Sequence, residues 1–175
     1  VSMIPEILEG CGALVPPDAD AAADLFELTQ EECERVGFPG YEISNHARGD
    51  ASRARHNMIY WRCGDWVGVG PGAHGRLSHD GARIATEARR RPSDYIEAVR
   101  EHGLGWSSGA KLAPGEIADE LLLTGLRISE GVELARIETL RGDPLNRGVL
   151  AWLIDQGLVA RDLERIRLTP RGRPL

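Results

Sequence analysis

Residues His56-Asn57-Met58-Ile59-Tyr60-Trp61 gather an imidazole, a carboxamide, a phenol and an indole within six positions. Such a set suits a flat aromatic ligand or an iron atom, since histidine is the usual axial nitrogen donor and aromatic side chains pack on planar rings. A histidine beside aromatics also serves as a hydrogen-bonded structural residue, and spacing alone leaves both readings open for His56. His46 and His79 lack comparable company.

Further along, Gly68-Val69-Gly70-Pro71-Gly72-Ala73-His74-Gly75 follows a short β-branched run beginning at Trp66. Glycines there let the backbone approach a ligand with bare amides and carbonyls. The dinucleotide fingerprint is set aside, because Pro71 removes an amide that a pyrophosphate cradle needs. A tight structural turn accounts for the same residues.

The three cysteines, Cys11, Cys33 and Cys63, stand too far apart for a zinc knuckle, a C-x-x-C pair or a local iron–sulfur cradle. They read as free thiols, buried or half-buried, in a reducing compartment. The net charge of −6 is unevenly spread: residues 1 to 45 hold ten acids against Arg35, and residues 46 to 91 hold nine arginines against four acids. The basic middle suits an anionic partner or forms a solvated face. No apolar run nears the roughly 18 residues of a membrane span, and no basic-then-apolar leader opens the chain, so a cytoplasmic setting is expected.

The elements that position these residues are read from periodicity and punctuation. After Pro16-Pro17-Asp18, the spacing of Leu25, Leu28, Cys33 and Val36 predicts an amphipathic helix, stopped by Gly37 and Pro39. Alternation predicts strands over Tyr41 to Asn45 and Trp66 to Gly70. Ser93 is expected to cap a helix that turns Tyr95, Ile96 and Val99 inward, and Gly105 to Ala113 reads as a linker. The boundary is placed there, giving units 1–113 and 114–175. In the second, Pro114 opens a helix with Ile117, Leu121 and Leu122 inward, running on toward Leu126 and Ile128; Leu134, Ile137 and Leu140 suggest another. A third follows Asp143-Pro144 with the stripe Val149, Leu150, Leu153 and Ile154, and short strands follow around Leu158 to Ala160 and Arg165 to Leu168. Three helices and a two-stranded wing describe a winged-helix-like unit.

Three ordered blocks, Tyr41-Glu42-Ile43-Ser44-Asn45-His46-Ala47-Arg48, Arg55-His56-Asn57 through Tyr60-Trp61, and Gly64-Asp65-Trp66 through Gly75, resemble consecutive signatures of the oxygen-independent coproporphyrinogen III oxidase-like radical S-adenosylmethionine (SAM) family. Leu122 to Val132, with the helix and wing ending Leu168-Thr169-Pro170-Arg171-Gly172, resembles the small domain that closes this family. The likeness runs from about Asp18 to Leu175 and implies an α/β fold: the carboxy-terminal remnant of a partial radical SAM (β/α) barrel, then the small helical domain. The His56-Asn57-x-x-Tyr60 pattern resembles that of the heme chaperone branch, where it is linked to heme binding.

By this resemblance the whole protein binds SAM and a [4Fe–4S] cluster, and holds heme or a porphyrin for a client protein. Ala47 and His74 fall where the family lines its SAM sites, and Gly70 and Gly72 lend backbone contacts. His56 becomes the candidate iron ligand with Asn57 and Tyr60 beside it, while Tyr60 and Trp61 pack on the macrocycle and Arg53, Arg55 and Arg62 meet its propionates. The cluster motif C-x-x-x-C-x-x-C is absent from this sequence, so the chain alone is expected to perform no radical chemistry and to be part of a longer protein. One alternative keeps the fold and makes the whole protein a coproporphyrinogen III dehydrogenase of heme biosynthesis. Another, a nucleic-acid-binding winged helix, rests on five arginines against two acids over 161 to 175, and is opposed by ten acids against nine arginines over 114 to 175.

Overall fold

A computed structural model describes residues 15–175; Cys11 lies outside the described residues. Helix α1 (Ala19–Arg35) starts at Asp18, whose carboxylate accepts the amide of Ala21 at 2.8 Å and satisfies one orphan donor of the first turn. Its apolar spacing is real but uncovered: Leu25 and Leu28 remain more than half exposed and Cys33 is half-buried.

The two expected strands over Tyr41 to Asn45 and Trp66 to Gly70 are not formed. The first closes on itself, the Tyr41 amide donating to the Asn45 carbonyl at 3.2 Å, and leaves only single bridges of Gly40 with His46 and Glu42 with Ile128. The second pairs at one point, Trp66 with Arg76, before the glycine loop departs. Between them a short 3-10 turn leads into α2 (Arg55–Trp61), the helix of the imidazole and phenol.

Strands β1 (His74–His79) and β2 (Ala82–Ala88) form a hairpin across Asp80-Gly81. Both turn residues hold positive φ, 48° and 73°, the requirement of a two-residue turn that matches strand twist. Helix α3 (Pro92–His102) has Pro92 in its first turn and ends at left-handed Gly103. Ser93 is not its cap: the N-cap is Arg91, and the Ser93 hydroxyl donates to Asp94 at 2.9 Å. Ile96 and Val99 are exposed rather than inward, and Tyr95 is half-buried. The expected linker contains strand β3 (Trp106–Lys111), because its backbone completes the antiparallel ladder on β2 although its side chains look like a loop's.

Helix α4 (Pro114–Gly125) is opened by Pro114 and by Glu116, whose carboxylate accepts the amide of Ala113 at 2.7 Å. The helix stops at Gly125, short of Ile128. Then come β4 (Val132–Glu133), α5 (Leu134–Arg141), α6 (Arg147–Asp155), β5 (Val159–Asp162) and β6 (Arg165–Leu168). Asn146 caps α6 by accepting the amides of Gly148 and Val149, both at 3.0 Å. Of its expected stripe, Leu150 and Leu153 pack inward while Val149 and Ile154 stay exposed.

The described strands make two antiparallel three-stranded sheets, β1-β2-β3 and β4-β6-β5, and close no barrel. The larger core joins α4, α5, β4, β5 and β6 through Leu121, Ile137, Val132, Val159 and Ile166, and takes in Cys63 from just past α2. A smaller core of Tyr41, Ala47, Met58 and Ile128 lies under α2. Each core borrows a residue from the other side of residue 113, so the halves pack as neighbours.

Candidate functional site

Helical spacing sorts the α2 side chains onto different faces. His56 and Tyr60, four apart, share one face, their ring centroids 6.1 Å apart with planes at 74°. Tyr60 continues edge-on to Trp66 at 4.9 Å and 68°, and the Trp66 indole N–H donates to the His74 carbonyl at 3.1 Å. An aromatic chain therefore joins the imidazole to the glycine loop. The His56 ring is exposed, while Asn57 and Tyr60 are half-buried.

The loop is shaped by close backbone approach. A methyl group on Gly68 would lie 2.4 Å from the His74 carbonyl oxygen, a distance no side chain tolerates. Gly70 has φ 106° and its amide donates to the Tyr95 hydroxyl at 3.2 Å; the Gly72 amide donates to Arg89 at 2.9 Å. His74 begins β1 with its side chain exposed. Ala47 lies in the small core, 5% exposed, its amide donating to the Pro39 carbonyl at 3.1 Å.

A second α2 face, Arg55 and Ile59, lines a cleft of about 530 Å³ with Arg62 just past the helix and with Asp50, Arg53, Met58 and Glu130. Arg53 and Arg62, expected beside propionates, hold Glu130 instead: Arg53 reaches one oxygen at 3.0 Å, and Arg62 grips both at 2.7 and 3.2 Å. The Arg62 hydrogen bond, then its charge and that of Arg53, keep the Glu130 carboxyl below its ordinary range against the desolvation that opposes them. Arg127 lies over the Trp61 ring at 4.5 Å, and Trp61 is half-buried against the small core.

Ion pairs also tie the hairpin to α4. Glu120 accepts from Arg76 at 2.8 Å and faces buried Arg83 at 3.6 Å. Arg83 reaches Asp65 at 3.2 Å, and Asp65 accepts the Ser78 amide and hydroxyl at 2.7 and 2.8 Å. Those Ser78 hydrogen bonds, then Arg83, lower the Asp65 carboxyl. Burial pushes the Cys63 thiol up despite the nearby Arg83. Glu42, Arg127, Glu130 and Glu120 were missed as a working set by sequence reasoning, although Glu42, Arg127 and Glu130 sit inside recognisable blocks.

The residues present fit the implied groups unequally. Among the described residues no three of histidine, cysteine, aspartate and glutamate gather as metal ligands, so they offer no cradle for an iron–sulfur cluster. A heme asks less: one exposed imidazole would offer its iron a nitrogen donor, with the edge-on phenol and indole beside it. No described helix is long and apolar enough to cross a membrane.

Comparison with known proteins agrees with the blocks. The HemN C-terminal domain family matches residues 112–175. The mitochondrial radical S-adenosyl methionine domain-containing protein 1 of Dictyostelium discoideum is 32% identical over 93% of this chain and 41% of its own length. The heme chaperones HemW of Mycobacterium tuberculosis and Bacillus subtilis are 34% and 29% identical, each over 94% of this chain and over 40% and 43% of their own lengths. Coproporphyrinogen III oxidase (HemN) of Escherichia coli, described as a radical SAM enzyme, superposes with a TM-score of 0.64 over 90% of this chain and 39% of its own, at 19% identity. That likeness concerns the fold. The chain spans from a quarter to about two-fifths of the length of the curated relatives it matches, and it belongs, over that span, to the HemN/HemW-like radical SAM family.

Proposed function

We propose that the protein to which this chain contributes is a heme chaperone, which binds heme at α2 and hands it to a client protein. The observation that carries this reading is the exposed His56 imidazole set edge-to-face with Tyr60 and continued by Trp66, on a helix whose opposite side is anchored in a core. Relatives named as heme chaperones support it. A bound heme would supply an iron centre that takes a nitrogen ligand, and His56 would be the residue to hold it. Tyr60 would flank the ring, Asn57 would border it, and Arg55 would be the arginine nearest to hand for a propionate, since Arg53 and Arg62 are engaged by Glu130.

By the same reading Ala47, Gly70, Gly72 and His74 belong to the SAM-lining surface of the whole protein, and the [4Fe–4S] ligands come from other residues. Residues 1–113 then form the end of the barrel part. Residues 114–175 form the small winged-helix-like domain, whose near-balanced charge does not suit nucleic acid.

An absorbance titration with hemin tests the proposal. The chain should give a shifted Soret band with saturable binding, and His56→Ala should lose the shift and weaken binding by about tenfold or more. An equal response from both removes His56 as the ligand. Turnover of coproporphyrinogen by the whole protein would favour the dehydrogenase instead.

A further inference from the structure

Glu42 is fully buried, and a buried carboxylate is tolerated only when its oxygens are paired. One oxygen is: Oε1 accepts from the Ser44 hydroxyl at 3.3 Å and from the Asn45 amide. The other, Oε2, has no hydrogen-bond partner, and its nearest cation, the Arg127 guanidinium, stands 4.0 Å away. The same guanidinium lies over the Trp61 ring at 4.5 Å. The Arg127 Nε and Trp61 Nε1 are likewise buried without partners. Three segments far apart in sequence thus meet at one under-satisfied point: the Tyr41–Ala47 block, α2, and the stretch after α4.

That stretch is also pinned at the residues that follow Arg127. Glu42 bridges Ile128, and the Ser129 amide donates to the Tyr41 carbonyl at 3.0 Å. One residue on, Glu130 grips Arg53 just before α2 and Arg62 just after it. Residues 127–130 therefore hold α2 by an aromatic face and by both flanks, and all four lie within the span matched by the HemN C-terminal domain.

We infer that Arg127, backed by Glu42, is a positioning residue: it stacks on Trp61 to set the pose of α2 and thereby the presentation of His56 and Tyr60. The carboxy-terminal domain thus acts on the ligand face without touching it. A stacked guanidinium is suited to the work because it attracts the ring face while its charge answers a buried carboxylate. The ligand-presenting consequence rests on the heme-binding reading; the clamp on α2 does not.

Amide hydrogen exchange and hemin titration, run on the full chain, separate the two. Arg127→Met should raise exchange across residues 55–61 by about tenfold while α5 and α6 stay protected, and should weaken hemin binding by a similar factor. Arg127→Lys, which keeps the cation over the ring, should recover most of both. Should Arg127→Met fail to fold, Glu130→Gln opens the clamp from its other end and should show the same selective rise over α2. Unchanged α2 exchange in a folded Arg127→Met chain, or in Glu130→Gln where that variant stands in, overturns the inference. A rise over α2 in a chain that binds no hemin even as wild type sustains the clamp and removes the heme reading alone.

Discussion

Under α4, α5 and β6 the packing is aliphatic, with Ala118, Leu121, Ile137 and Ile166 each at most 3% exposed and a ring of leucines around them. Under α2 the buried set is Tyr41, Ala47, Met58 and Ile128, with a buried carboxylate and an arginine-stacked indole at its margin. Close-packed aliphatic carbon yields stability in proportion to the area removed from water. Buried charge yields little net stability but restricts how the chain can be arranged, since few arrangements leave it tolerable. The contrast assigns holding the fold to the first region and aiming a helix to the second.

Breaking the first region should have the largest effect. Ile137, with no exposed surface, loses both burial and packing on truncation, so Ile137→Ala should cost about 4 kcal/mol in urea unfolding. A smaller, local effect should come from the glycine loop that α2 meets through the Tyr60–Trp66 contact. Gly68→Ala drives a methyl group against the His74 carbonyl and should cost about 2 kcal/mol, changing the near-UV circular dichroism of Trp66 while exchange protection in α5 and α6 persists.

The smallest effect sharpens the comparison by pH. The Glu130 carboxyl is lowered in the folded state, so its ion pairs stabilise the fold above the ordinary carboxylate range, and this stabilisation is lost as pH falls through the depressed value. Glu130→Gln should be less stable than wild type at neutral pH, and the gap should close below about pH 4 in unfolding curves taken across that range.

Local signals carried much of the fold. Asp18, Pro114 and the terminal glycines mark helix ends by backbone chemistry that neighbours cannot alter, and β5 and β6 lie close to where alternation put them. Strand β3 was illegible because Trp106-Ser107-Ser108-Gly109-Ala110-Lys111 has linker composition, and only its pairing with β2 makes it a strand. The hairpin before it was readable from Asp80-Gly81 and went unread. At the candidate site, four-residue spacing put His56 and Tyr60 on one face, a purely helical consequence. The Tyr60–Trp66 contact, the Glu130 fork and the Glu42–Arg127 approach depend on chain segments meeting in space, which no periodicity encodes.

Cys63 sits just past α2 yet lies in the aliphatic core, 7% exposed, with its thiol driven toward the protonated form. A protonated, shielded sulfur is a poor nucleophile, so an alkylating reagent meets it only when the core opens. Its rate of modification at neutral pH therefore works as a clock for opening of that core, one that ticks at the junction between the two regions.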